Sequence, residues 1–248
     1  MAKAFQVDTG GTLTTNLISY YKLEDTTDFY STNNLTNNGT ATFVAGKVNN
    51  AVNLLSASSQ YLSITDASQS GLDINSDFSI FCWFLTNTAS AYQFIVSKND
   101  FGTTNILSYS FGTDNANHLR LTISSNGTVD IEKFSTGTLN TATWYYVGVT
   151  YNKTAGTCAF YINGSASGTG SSLPTSINNN NVDVMIGAIK NNGTPAYFVN
   201  GKIDELGIWS KTLSTTEVTD LYNGGNGQTM ITSVTAKQRH TLLTMGIG

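Results

Sequence analysis

The chain has 248 residues, a net charge of −4 and only 11% charged side chains, so it lacks the basic footprint that nucleic-acid binding needs. Hydrophobic residues at 40% supply a sizeable core and exclude disorder, and the length suits one domain with short tails. No window approaches the roughly 18 to 20 uninterrupted apolar residues of a membrane span, and residues 1–8 lack the apolar run of a signal peptide, so neither a membrane partner nor a secretory leader is expected.

Asn, Thr, Ser and 23 glycines fill the space left by charge, a mixture poor in helix formers and rich in turn formers. Asn-Gly, both of whose residues tolerate positive φ, recurs at Asn38, Asn126, Asn163, Asn192, Asn200, Asn223 and Asn226. This dipeptide predicts tight turns between strands.

In chain order, alternating or wholly apolar runs predict strands over 18–23, 51–55, 61–64, 78–85, 94–97 and 106–111. Runs 119–123 and 129–134 then flank the turn 124–127 as a hairpin. Leu119, Leu121 and Ile123 share one face, and Val129, Ile131 and Lys133 are expected to be buried on the partner strand. Further strands are predicted over 144–151, 158–162, 182–186 and 202–209. After them, Ser214-Thr-Thr-Glu217 reads as a capping box, with Val218, Leu221 and Tyr222 at helical spacing and Gly224 placed to close a short helix in the left-handed region. Cys82 and Cys158 lie in apolar contexts without CxxC spacing and are read as core thiols.

The ordered set formed by Phe78-Ser-Ile-Phe-Cys-Trp83, Ile95-Val-Ser-Lys98, Tyr109-Ser-Phe111, Trp144-Tyr-Tyr-Val-Gly-Val-Thr-Tyr151, Phe160-Tyr-Ile-Asn-Gly164, Ile186-Gly187, the run 199–209 and Leu213-Ser-Thr-Thr-Glu217 resembles a laminin G-like, concanavalin A-like lectin/glucanase domain. The resemblance covers about residues 17–224 and implies an all-β fold, an antiparallel two-sheet jelly-roll sandwich with one short C-terminal helix. Residues 1–16 then form an N-terminal extension and 225–248 a C-terminal tail.

Three functional questions follow from that resemblance. Similar domains often hold calcium and bring their first and last core strands together, so Glu24 and Asp25 are expected near Asp204 as a candidate Ca2+ site with backbone carbonyls. The plainer alternative has Asp204 accepting backbone N–H groups while Glu205 faces solvent. Glucanases of this fold carry acidic residues alternating along one strand, and that signature is absent. Asp130 and Glu132 come nearest and read as a solvated hairpin face. The two histidines, His118 and His240, give no nucleophilic triad and no nucleophile elbow is in register, so no enzyme is expected. Carbohydrate is the third: the loops 99–101, 114–118 and 191–197 offer Asp100, Phe101, Asn117, His118, Asn191 and Tyr197 as a ligand rim, with Phe101 and Tyr197 as stacking platforms. Against this, aromatic residues near strand ends pack cores and Asn-rich loops are ordinary turns.

These readings converge on a noncatalytic recognition or adhesion module for a carbohydrate or surface partner, on a virion or other extracellular surface assembly. The alternative is a purely structural decoration protein of a phage particle or surface layer, with a glycoside hydrolase of the concanavalin A-like class third. The tail ends in Leu242, Leu243, Met245 and Ile247 beside Lys237, Arg239 and His240, a pattern expected to become ordered against other chains of an assembly. On that reading, deleting 228–248 leaves the sandwich's melting temperature unchanged and abolishes assembly.

Overall fold

A computed structural model describes residues 12–102 and 106–230. The strands in chain order are β1 (Leu17–Tyr21), β2 (Thr36–Asn38), β3 (Thr42–Ala45), β4 (Asn50–Leu54), β5 (Tyr61–Ile64), β6 (Phe78–Thr86), β7 (Gln93–Ser97), β8 (Asp100–Phe101) and β9 (Tyr109–Thr113). They continue as β10 (His118–Ser124), β11 (Asp130–Thr138), β12 (Tyr145–Asn152), β13 (Thr157–Ile162), β14 (Ser165–Gly170), β15 (Val184–Ile186), β16 (Ile189–Asn191), β17 (Thr194–Ala196) and β18 (Gly201–Trp209). One helix follows, α1 (Thr215–Tyr222).

Two large antiparallel sheets stack as the expected sandwich. One runs β14-β13-β12-β6-β18-β4-β3 with β1 also on β18, the other β11-β10-β9-β7-β15-β5-β2. A small sheet, β17-β16-β8, completes the set. Strand alternation builds the core between the large sheets. Leu119, Leu121 and Ile123 of β10 meet Val147, Val149 and Tyr151 of β12 there, together with Ile80, Cys82 and Phe84 of β6. Both cysteines are free and buried; burial pushes the Cys158 thiol up to about 11 and the Cys82 thiol higher still. Val129 departs from expectation. It is exposed because β11 begins only at Asp130, past the turn.

The other side of β6, β12 and β18 carries a second apolar cluster of Phe81, Trp83, Tyr146 and Trp209. Gly148 makes this possible: a Cβ there would sit 2.0 Å from the Phe81 ring. Helix α1 covers the cluster with Val218 and Leu221. The capping box forms, with Ser214 Oγ accepting from the Glu217 N–H at 3.3 Å and Glu217 Oε2 accepting from the Ser214 N–H at 2.8 Å. Asn223, at φ 50°, closes the helix one residue before the expected Gly224.

The flanking segments take part in this cover. Trp209 Nε1 donates to the Leu13 carbonyl at 2.7 Å, Leu13 and Met230 are both buried in the cluster, and the Met230 N–H donates to the Tyr20 hydroxyl at 2.9 Å. Residues 228–230 therefore do not form the dispensable stretch expected of the tail. The apolar ending from Leu242 to Ile247, with Lys237, Arg239 and His240, lies outside the described residues. No helix among the described residues is long and apolar enough to cross a membrane.

Candidate functional site

Alternation in β10 sends its leucines inward and Arg120 and Thr122 to the outer face of the seven-stranded sheet. Register then sets their neighbours. Arg120 pairs with Gly112 of β9 on one side and Phe134 of β11 on the other, and Gly112 pairs with Phe94 of β7, so Phe94, Gly112, Arg120 and Phe134 form one row across four strands. At Gly112 a Cβ would meet the Gln93 carbonyl at 2.0 Å, where β7 bulges. With no side chain there, β7 comes close to β9 and brings Phe94 beside Arg120.

The guanidinium of Arg120, whose residue is 6% exposed, lies 5.4, 5.5 and 6.0 Å from the ring centroids of Tyr92, Phe94 and Phe101. Its Nη2 donates to Glu132 Oε1, and its buried Nε–H has no acceptor among the described residues. Asp130 and Glu132 share the outward hairpin face expected of them, and Glu132, its side chain 36% exposed, is in addition paired with Arg120. Burial raises the Asp130 carboxyl above its ordinary value, and the neighbouring Glu132 charge adds to the rise.

The small sheet supplies the opposite wall of a cavity of about 330 Å3, lined by Tyr92, Phe94, Phe101, Arg120, Asn191 and Tyr197. Strand β8 runs parallel to β16 with Asn191 beside Phe101, and both Asp100 carboxylate oxygens accept from the Gly193 N–H, at 3.0 and 2.9 Å. Just upstream of β8, fully buried Lys98 is fixed by Asp66 at 2.5 Å, Asp73 at 2.9 Å and the Val182 carbonyl at 2.9 Å. Tyr197 holds φ at 50°, an unusual conformation for a bulky residue, and meets Phe94 edge-on at 6.1 Å while remaining 47% exposed. Tyr92, at 41%, is similarly open.

Of the six ligand-rim residues expected from sequence, Phe101, Asn191 and Tyr197 line this cavity, and Asp100 braces its wall. Asn117 and His118 do not line it. Asn117, at φ 67°, accepts the Ser90 N–H at 2.8 Å, and His118 Nδ1 lies 3.2 Å from Asp114 Oδ2. The first and third loops come together while the second is a turn. Sequence reasoning missed Tyr92, Phe94 and Arg120. The available signal was an arginine set among alternating apolar residues in 119–123.

The three carboxylates proposed for calcium are each engaged separately. Glu24 Oε1 accepts from Asn49 at 2.8 Å, Asp25 Oδ1 from the Thr27 N–H at 2.7 Å, and buried Asp204 Oδ2 from the Val48 N–H at 2.8 Å. No group of three or more His, Cys, Asp or Glu among the described residues is placed to hold a metal. Glu205 does not face solvent. A bulge between Asp204 and Gly207, with Glu205 at φ 53°, turns it inward to accept from the Tyr20 hydroxyl and, at 2.9 Å, from Thr229 Oγ1.

No curated protein matches the sequence significantly. Solved structures share the fold. The binding domain of Paraclostridial Mosquitocidal Protein 1 superposes with a TM-score of 0.67 at 17% identity, covering 86% of this chain and 53% of that one, so the chain spans about half its length. Domain 4 of AbnA, a GH43 extracellular arabinanase from Geobacillus stearothermophilus solved with arabinotriose, gives 0.62 at 19% identity, with 83% and 97% covered. The Ruminococcus gnavus IT-sialidase CBM40 bound to α2,3 sialyllactose gives 0.53 at 17% identity, with 61% and 85% covered. A family model matches residues 56–219, well over half of the sequence, and the chain belongs to the concanavalin A-like lectin/glucanase superfamily.

Proposed function

We propose that the chain is a noncatalytic recognition module that holds a carbohydrate in the cavity between β10 and the small sheet, displayed on a virion or cell-surface assembly. The observation that carries this reading is the cavity itself. Exposed faces of Tyr92 and Tyr197 flank an arginine whose position is fixed by Glu132 and three rings. Sugars bind where apolar ring faces meet a few oriented polar groups, and both are present here. Folds named as binding domains, and one solved with arabinotriose, support the reading by likeness of architecture.

A glycan array with the parent chain, Tyr197→Ala and Asp100→Ala is the test. The parent is expected to retain one sugar class. Tyr197→Ala should lose about tenfold or more in affinity, as a stacking ring does. Asp100→Ala should weaken binding by loosening the wall around Gly193. Variants that bind as well as the parent would remove the site.

A further inference from the structure

We infer that the binding face continues from the cavity across the strands to Phe134, and that it takes an uncharged oligosaccharide of about three units rather than a single terminal or acidic sugar. The inference rests on the carbohydrate reading of the cavity and adds its length and charge. Phe134 is 42% exposed and shares the row of Phe94, Gly112 and Arg120, although it does not line the cavity. From β7 to β11 are three strand intervals, about 14 Å at the usual strand spacing. A chain of about three sugar rings covers that distance with one aromatic platform at each end. Between the platforms, Gly112 raises no side chain, and Arg120 and Glu132 present a fixed donor and acceptor.

Charge selects the ligand's class. Glu132, with a side chain 36% exposed, already matches the Arg120 guanidinium, and Asp130 stands one outward position along β11. Lys190, on the neighbouring small sheet, is held by Asp183 at 2.8 Å. Two carboxylates against one guanidinium repel an anionic sugar, whereas hydroxyls find both donors and acceptors.

The experiment uses the full chain on an array of neutral oligosaccharides of one to six units beside uronate oligosaccharides of the same lengths, followed by calorimetry on the best class. Signal should climb until about three units and then level off, with neutral sugars preferred. Phe134→Ala should lower affinity for the three-unit ligand about fivefold while leaving single-unit binding and the melting temperature unchanged. Affinity already maximal at one unit, or a silent Phe134→Ala, overturns the extension and leaves the cavity reading standing. Preference for uronates overturns the charge argument. If the parent retains no sugar of any length, the cavity reading itself fails, and the extension with it.

Discussion

The two outer faces of the sandwich both carry aromatic clusters, and they end in opposite states. On the eight-stranded sheet, Phe81, Trp83, Tyr146 and Trp209 are sealed beneath α1, Leu13 and Met230. On the seven-stranded sheet, Phe94 and Phe101 pack around Arg120 while Tyr92 and Tyr197 stay open. Ring chemistry alone does not separate a core from a surface. What separates them is the cover: a capped helix fills one face, while a three-stranded sheet set to one side leaves a cavity on the other. Large rings left exposed beside a buried, oriented cation mark an interaction face more strongly than scattered apolar residues do.

If this contrast holds, damage to the sealed face should unfold the protein and damage to the open face should silence it. The largest effect is expected from Trp209→Ala, which removes a fully buried ring and its bond to the Leu13 carbonyl. A loss of about 3 to 5 kcal/mol is expected, read as a fall of roughly 6 to 20 °C in a thermal melt. Sugar binding below that transition should survive. A melt as high as the parent's would show the sealed cluster to be ornamental.

A smaller effect concerns the helix that makes the seal. Burial raises the Glu217 carboxyl, but the Lys211 bond and the Ser214 donors outweigh it and leave it below its ordinary value. The group therefore stabilises the fold above the unfolded carboxylate range and loses that contribution as pH falls through its lowered folded value. Glu217→Gln should cost about 0.5 to 1 kcal/mol at neutral pH and flatten the acid limb of the stability curve. An acid limb identical to the parent's would detach the capping box from the seal.

The smallest expected effect is none. Glu24, Asp25 and Asp204 each already serve a neighbour, so chelation is expected to leave the melting temperature where it was. A melt raised by added calcium and no longer raised in Glu24→Gln would establish the cation site expected from sequence.

The longer core strands, the capping box and the family resemblance were legible because each is local: alternation, a four-residue motif, an ordered run of aromatic landmarks. The mostly short and polar β2, β3, β8, β14, β16 and β17, the whole small sheet among them, carried no such run. The site was half legible. Phe101, Asn191 and Tyr197 lie in stretches that read as loops and whose composition attracts attention, although Phe101 ends β8 and Asn191 ends β16. Arg120 looks like any polar residue on the outward side of a strand, and only its row with Gly112, Phe94 and Phe134 and its diagonal ion pair with Glu132 of β11 give it a role. Glu205 was misread for a related reason. Alternation assumes a regular strand, and the bulge after Asp204 breaks it by turning one residue through positive φ.

The two thiols carry a practical consequence. Cys82 lies in the middle of the eight-stranded sheet and Cys158 near its edge, on β13 beside the outermost β14. Both are shielded and held above the ordinary thiol range, so an alkylating reagent reacts only when the chain opens. Cys158 should be modified during fraying of the β13–β14 edge, and Cys82 only when the whole molecule comes apart. Pulsed alkylation followed by peptide mass analysis would thus time rim opening and global opening separately, from a single untouched sequence.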